Sequence, residues 1–250
     1  MNFKGKKMKT EAITELFKAM EAVGVVDRKI QKKLLKAYRD RDIKGIAEAM
    51  KDYFELVAGR KELFQSLNQN LKRLIKTGQD GSETATCEFL VSPVLKEVMR
   101  EDYNPLNIRF PSRANDEPIR ADYVVNGKLL IEAKRLKDEI CKNREFCAPL
   151  LFKESGQNKD RQHLSQAVYY FVQTKYENKG NDRIETLRHL ALTNGREWFI
   201  VENADQEIPV QRVKDLSELN GKKLRGITFS ITDWDSYTGL LKKLEELIGE

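Results

Sequence analysis

The chain has 250 residues, of which 40% are hydrophobic and 34% charged, and its formal net charge is +6. This composition is typical of a soluble globular protein with one large or two small domains, and it excludes a disordered chain. No apolar run approaches the roughly 20 residues of a membrane helix, and no signal-type apolar core follows the basic start, so we expect a cytoplasmic protein without a membrane partner.

The residue types also limit the chemistry that the chain can carry out. Its three cysteines lack CxxC spacing, and its histidines are His163 and His189. A disulfide framework, a zinc site and Ser-His-Asp catalysis are therefore poorly supported. No GxxxxGK[ST] loop is present, so no ATP-driven motor is indicated. If the chain is an enzyme, carboxylates and lysine are its expected catalytic groups.

The positive charge is concentrated in the N-terminal third. Residues 1–80 contain 19 Lys and Arg against 11 Asp and Glu, a net charge of +8, so the remaining residues sum to −2. A positive field of this kind suits a polyanion such as nucleic acid. A merely solvated helical surface is the alternative.

Residues 10–76 have helical periodicity throughout. The pattern predicts four short amphipathic helices, in which the first ends at Gly24, Asp27 caps the second, the third ends at Gly59 and the fourth ends at Gly78. We expect a basic, all-helical region over residues 1–80 that forms a small bundle or an arm.

The pattern changes after the turn-rich segment 78–82. A helix from Glu83 should be interrupted near Pro93, because proline lacks the amide proton and clashes with the preceding turn. The later predicted elements are strands at 106–110, 120–125 and 128–134, a helix at 159–176, a hairpin at 189–202 around an Asn194-Gly195 turn, a strand at 227–232 and a helix at 235–248. This order predicts an α/β domain over residues 81–250, with helices on both faces of a central sheet.

Charged residues interrupt the apolar hairpin between Asp122 and Lys134. Glu132 and Lys134 share one face of the second strand because strand side chains alternate. A two-residue Asn126-Gly127 turn would put Asp122 on the other face. We therefore expect an odd loop, Val125–Gly127 with Gly127 left-handed, or an equivalent bulge. Asp122 would then lie opposite Leu130 and diagonally beside Glu132.

These residues suit metal-assisted cleavage of phosphodiesters. The carboxylates of Asp122 and Glu132, with the backbone carbonyl of Ala133, suit Mg²⁺, for which Mn²⁺ can substitute. Lys134 could hold the attacking water or stabilise the transition state. The alternative is a salt-bridged amphipathic hairpin. The Leu129–Ile131 run argues against it, because burial on both faces makes an unpaired charge costly.

The pattern Asp122…Glu132-Ala133-Lys134 resembles the motif of PD-(D/E)xK nucleases, without the usual proline before the aspartate. More narrowly, the chain is similar to the nuclease domain of the motor subunits of type I restriction enzymes and their free-standing relatives. The resemblance covers roughly residues 83–202. Three further segments occur in the family's order: Thr86–Leu95 (TCEFLVSPVL), Gln166–Tyr170 (QAVYY) and Leu192–Gly195 (LTNG) with Trp198.

This resemblance implies a restriction-endonuclease-like core, in which helices flank a mixed central sheet. It implies that Asp122 and Glu132 bind the metal ion and that Lys134 is catalytic. Glu88 would be an auxiliary acid that binds metal directly or through water. Gln166 and Tyr170 lie at i and i+4 of one helix, so they would face DNA or support the active site.

Three basic residues close to the motif in sequence, Arg135, Lys159 and Arg161, could contact phosphates. The leading hypothesis is a Mg²⁺-dependent DNA endonuclease of restriction or anti-phage defence. A homodimer would rationalise double-strand breaks, and a larger defence complex is another expected assembly. Two alternatives stay open. One is a non-cleaving nucleic-acid-binding or assembly subunit, and the other is a nuclease for RNA or for branched or damaged DNA.

Overall fold

The computed structural model describes residues 13–20, 22–25, 27–100, 121–140, 149–153, 162–177 and 184–249. The chain divides into two compact units, Met1–Ser66 and Leu67–Glu250, whereas the sequence suggests a division at residue 80. The strand expected at 106–110 lies outside the described residues, and so do Lys159 and Arg161.

The first unit is helical in its described part. Residues 13–20 are helical, and helix α1 follows at Arg28–Asp40. Asp27 caps α1 as predicted, because its Oδ1 accepts a hydrogen bond from Ile30 N at 2.9 Å. The helix ends at Arg41, which has a left-handed φ of 57°.

Helix α2 runs without interruption over Ile43–Lys76. The prediction of two separate helices here was wrong, because the chain continues through Gly59 in helical conformation. A glycine inside a helix costs about 1 kcal/mol relative to alanine, which weakens a helix without ending it. The predicted stop at Gly78 is confirmed, since Gly78 has a φ of 69° just after the helix.

The second unit continues with a short 3₁₀ turn at Gln79–Gly81 and a helical segment from Glu83 to Met99. This segment consists of α3 (Glu83–Thr86), a π-helical turn (Cys87–Val91) and α4 (Ser92–Met99). The predicted interruption near Pro93 is absent, because the chain stays helical from Glu83 to Met99 and only changes to a π turn just before Ser92. Pro93 lies in the first turn of α4, where a missing amide proton is tolerated.

A five-stranded mixed sheet forms the centre of the second unit. Its strands lie in chain order, and β2 pairs with β3 in parallel while the other neighbours are antiparallel. The strands are β1 (Tyr123–Val125), β2 (Leu129–Ala133), β3 (His189–Thr193), β4 (Glu197–Val201) and β5 (Ile227–Ser230). The later helices are α5 (His163–Val172), α6 (Ala204–Glu207) and α7 (Trp234–Gly249), with a π turn at Gln173–Glu177 and a 3₁₀ segment at Val213–Leu219.

Helices cover both faces of this sheet. Phe171 of α5 shares a buried cluster with Leu130 and Leu192 on one face. On the opposite face, α7 passes so close that a Cβ on Gly239 would lie 3.3 Å from the ring of Phe229. The predicted mixed α/β class with an N-terminal helical region is therefore confirmed. Among the described helices, none is both long and apolar enough to cross a membrane.

Candidate functional site

The hairpin that joins β1 to β2 has a three-residue loop, Asn126–Lys128. Lys128 N donates a hydrogen bond to Val125 O at 3.0 Å, and both Asn126 and Gly127 have positive φ, 49° and 66°. Asparagine and glycine are the residues that adopt this conformation most readily. An odd loop with a left-handed Gly127 is thus present as expected, although it spans Asn126–Lys128 and not Val125–Gly127.

The register between β1 and β2 is shifted by two residues from the expected one. Tyr123 pairs with Ile131, so the next position along the ladder puts Asp122 opposite Glu132 and not opposite Leu130. The expected loop Val125–Gly127 and the observed loop Asn126–Lys128 both have three residues, so they give the same alternation of side chains. The observed loop ends one residue later because Asn126 also accepts a positive φ. Asp122 and Glu132 consequently lie on the same face of the hairpin.

Backbone and side-chain hydrogen bonds hold the three motif residues together. Asp122 Oδ2 accepts a hydrogen bond from Ala133 N at 2.6 Å, and Lys134 Nζ donates one to Glu132 Oε1 at 2.5 Å. Glu132 is 1% exposed and Lys134 is 4% exposed, while Asp122 is half-buried. Glu132 Oε2 is buried and has no hydrogen-bond partner in the described part of the chain. One carboxylate oxygen is therefore left for a ligand.

The acid that α3 contributes is Glu83. Its Oε2 lies 3.9 Å from Lys134 Nζ, and its charge influences both Asp122 and Glu132. Glu88, the auxiliary acid suggested by the family motif, is exposed on the following π turn. Glu88 comes five positions after Glu83, beyond the change from α3 to the π turn. Of these two acids, Glu83 is therefore the one that the structure places beside Lys134.

Burial and the neighbouring negative charges raise the pKa values of Asp122 and Glu132. Burial raises the pKa of Asp122 to about 6, and the charge of Glu83 adds to this shift. The hydrogen bond from Ala133 N–H and the charge of Lys134 partly oppose it. Burial and the Asp122 charge raise the pKa of Glu132 to about 8 although Lys134 opposes the shift. Burial would lower the pKa of Lys134, but Glu132 and the other two carboxylates raise it above its usual value.

When all three of its carboxyl groups are ionised, as they would be around a bound cation, the cluster is short of positive charge. Three carboxylates, those of Asp122, Glu132 and Glu83, surround the single ammonium of Lys134, which leaves a formal charge of −2. One divalent cation would balance this charge and would give Glu132 Oε2 a partner. Among the described residues, no three His, Cys, Asp or Glu side chains form a ready-made metal-binding group. Mg²⁺ does not require one, because it commonly uses one or two carboxylates with water and substrate phosphates.

Residues from α3 and from the β3–β4 turn fix the segment that follows Lys134. Leu136 N donates a hydrogen bond to Thr86 Oγ1 at 3.1 Å, and Asn194 Nδ2 donates one to Asp138 O at 2.8 Å. A Cβ on Gly195 would lie 2.7 Å from Leu90 Cδ1, so only glycine permits this close approach. The helix and the turn thereby hold the end of β2 in place.

Helix α5 places its first turn beside the cluster. Burial and the positive charges of Lys134 and Arg135 lower the pKa of His163. The negative charges of Asp138 and Glu83 oppose this shift without cancelling it. Gln166 and Tyr170 share a face of this helix, as predicted, and Gln166 Nε2 donates a hydrogen bond to the Tyr170 hydroxyl at 2.9 Å. Both are half-buried.

Sequence reasoning missed Glu83 and His163 as neighbours of the cluster. The signal for His163 was available, since it precedes Gln166 by three residues and therefore shares its helix face. Arg135, a predicted phosphate contact, is exposed and forms an ion pair of 3.0 Å with Asp138. To contact a phosphate, the Arg135 guanidinium would have to give up its ion pair with Asp138 or share it.

Comparison with known proteins identifies one family. Residues 44–230, about three quarters of the chain, match the family model described as "Domain of unknown function (DUF7149)". No curated protein and no solved structure matches the chain.

Proposed function

The chain belongs to the DUF7149 family, and we propose that it is a metal-dependent DNA endonuclease with a restriction-endonuclease-like core. The observation that carries this proposal is the buried cluster of Asp122, Glu132 and Lys134. Glu132 Oε2 has no partner among the described residues, and the cluster lacks the positive charge that a divalent cation would supply. In a purely structural ion pair, nothing would offset the free-energy cost of burying that oxygen without a hydrogen-bond partner.

In this proposal each residue has a distinct task. Asp122 and Glu132 would hold Mg²⁺, and the backbone carbonyl of Ala133 would be a third ligand. The metal ion would supply Lewis-acid activation of water and neutralise charge on the phosphate. Lys134 stays protonated between carboxylates, so its ammonium can orient the attacking water or stabilise negative charge on the scissile phosphate. Glu83 helps to keep that ammonium charged.

The choice of DNA, and of a role in restriction or anti-phage defence, rests on the resemblance of the motif and its flanking segments to the nucleases of type I restriction enzymes. The hairpin geometry supports the same reading, because a shared face for Asp122 and Glu132 is what that motif requires. One such site cuts one strand, so we propose that two copies of the chain act together on duplex DNA.

A panel of substrates tests the proposal. The protein is incubated with supercoiled plasmid, linear duplex and single-stranded RNA, each with Mg²⁺, Mn²⁺ or EDTA. We expect cleavage of DNA in either metal and none in EDTA. Lys134→Ala should abolish cleavage, whereas Lys137→Ala, which removes an exposed lysine three residues further on, should leave it unchanged.

The same panel separates the alternatives. Cleavage that persists in Lys134→Ala would remove the proposed mechanism. Tight DNA binding without cleavage in either metal would favour a non-cleaving subunit. Digestion of RNA alone would favour a ribonuclease.

A further inference from the structure

Helix α1 presents an unbroken basic surface. All of its six Lys and Arg residues are exposed, and its single acid, Asp40, lies at its last position. The opposite side of the helix is occupied by the buried residues Leu34 and Ala37. The basic residues are Arg28, Lys29, Lys32, Lys33, Lys36 and Arg39.

Most of these charges are not neutralised within the first unit. Lys33 forms an ion pair of 2.7 Å with Asp52, and the other five have no ion partner among the described residues. Residues 43–66 contain four basic and four acidic residues, so they add no net charge. Lys18 is likewise balanced by Glu15 at 2.7 Å. The positive field of the described part of this unit therefore comes from α1.

The dimensions of this surface suit a nucleic-acid backbone. Eleven steps separate Arg28 from Arg39, which at about 1.5 Å per residue spans about 17 Å. One strand of duplex DNA has a phosphate about every 3.4 Å along the axis, so this length corresponds to about five phosphates. Lysine and arginine side chains on phosphates hold a duplex in place but do not read its sequence.

The buried side of α1 argues against a membrane as the partner. A helix that lies on a bilayer inserts an apolar face below the headgroups. In α1 that face is already used inside the first unit, by Leu34 and Ala37. The fully exposed side chains that remain are all charged, and six of these seven are basic, which fits a polyanion in solution.

We propose that α1 binds the phosphate backbone of double-stranded DNA without sequence preference and holds the substrate of the nuclease. This inference rests on the proposed function for the identity of the polyanion. It assigns to the first unit the task of binding and leaves cleavage to the second unit.

Salt-dependent binding tests the proposal. Fluorescence anisotropy with a labelled duplex of 25 base pairs, in EDTA so that cleavage cannot occur, gives the dissociation constant between 50 and 300 mM KCl. The test variant is Lys29→Gln/Lys32→Gln/Lys36→Gln. The matched control removes three exposed lysines of the second unit, as Lys214→Gln/Lys223→Gln/Lys242→Gln. Circular dichroism verifies that both variants are folded.

Each phosphate contact contributes about 0.9 to the slope of log K against log salt. We expect the α1 variant to lower that slope by about 2.7 and to bind at least tenfold more weakly at 100 mM KCl, while the control stays close to wild type. An unchanged slope, an equal loss in the control, or no duplex binding by the wild type would overturn the proposal. The proposal would also be overturned if the α1 variant lost more binding to vesicles rich in phosphatidylserine than to duplex DNA.

The two proposals can fail separately. If the wild type binds through α1 but cleaves nothing in Mg²⁺, the nuclease proposal fails and the binding surface stands. If the wild type cleaves DNA and the α1 variant retains its salt slope, the nuclease proposal stands and this inference fails.

Discussion

Lys134 and Glu132 form a buried ion pair that uses only one of the two carboxylate oxygens. Lys134 Nζ donates to Oε1 at 2.5 Å, while Oε2 is buried without a partner in the described ranges of the chain. A buried polar atom that lacks a partner costs about 1–3 kcal/mol. Such a cost is expected where a site is prepared for a ligand.

Two substitutions of Asp122 should separate its structural contact from its proposed metal ligation. Asp122→Asn retains an oxygen that can accept from Ala133 N, whereas Asp122→Ala leaves this N–H without its partner. Measured by urea unfolding in EDTA, the alanine variant should be less stable than the asparagine variant by about 1–3 kcal/mol.

Both Asp122 variants should lose the stabilisation that Mg²⁺ gives to the wild type, which is about 2.7 kcal/mol at a concentration of 100 Kd. Thermal unfolding with and without Mg²⁺ measures this effect. Equal stability of the two variants in EDTA would contradict the structural contact. A normal rise in Tm with Mg²⁺ in Asp122→Asn would contradict the metal site.

The raised pKa of Glu132 predicts how stability depends on pH in the absence of metal. A carboxyl group with a pKa of 4.5 in the unfolded chain and about 8 in the folded protein stabilises the fold fully below pH 4.5. That contribution disappears as the pH rises towards 8, by at most about 1.4 kcal/mol per pH unit. Glu132→Gln cannot ionise, so its stability relative to wild type should improve steadily from pH 5 to pH 8.

Urea unfolding of both proteins in EDTA at pH 5, 6, 7 and 8 measures this dependence. Parallel curves would show that Glu132 has an ordinary pKa. As a matched control, Glu139→Gln removes an exposed acid near the same strand end.

The hairpin site could be predicted because its determinants are local. Strand alternation puts Glu132 and Lys134 on one face, and only an odd loop brings Asp122 to that face. The register itself could not be predicted, because loops ending at Gly127 or at Lys128 satisfy the same alternation. The choice depended on Asn126 accepting a φ of 49°.

Features that depend on packing were not accessible from the sequence. A glycine at position 59 is compatible with either a helix end or a continuous helix, and the structure has the continuous helix. Burial of Thr86 on α3 and of Leu90 on the π turn fixes how this segment packs, and Glu83 then lies beside Lys134 while Glu88 is exposed. A match to a family motif cannot resolve this choice, because both acids lie on the same short helical segment.

The two acids of this segment allow a direct comparison. Glu83→Gln should weaken Mg²⁺ binding and DNA cleavage about tenfold, because residues that orient a ligand set typically contribute 10- to 100-fold. Glu88→Gln should change neither, since its side chain is exposed. Calorimetric titration with Mg²⁺ and plasmid nicking rates measure both effects. A larger loss in Glu88→Gln than in Glu83→Gln would restore the assignment suggested by the motif.

Gly195 should be much less tolerant of alanine than Gly221. Both have positive φ, 81° and 82°, so both substitutions carry the backbone cost of about 1–2 kcal/mol. A Cβ at Gly195 would also lie within 3 Å of Leu90 and Thr86, whereas nothing lies within 4 Å at Gly221. Gly195→Ala should therefore lose about 1–3 kcal/mol more in urea unfolding. Equal losses would show that the turn does not pack closely on α3.

The most direct test of the central claim is the rate at which wild type, Glu132→Gln and Glu139→Gln nick supercoiled plasmid in Mg²⁺. Wild type and Glu139→Gln should nick at the same rate and stop in EDTA, and Glu132→Gln should be slower by at least about 100-fold. Nicking by Glu132→Gln at the wild-type rate would show that the activity does not come from this cluster. A wild type that nicks nothing in Mg²⁺ or Mn²⁺ would contradict the nuclease assignment itself.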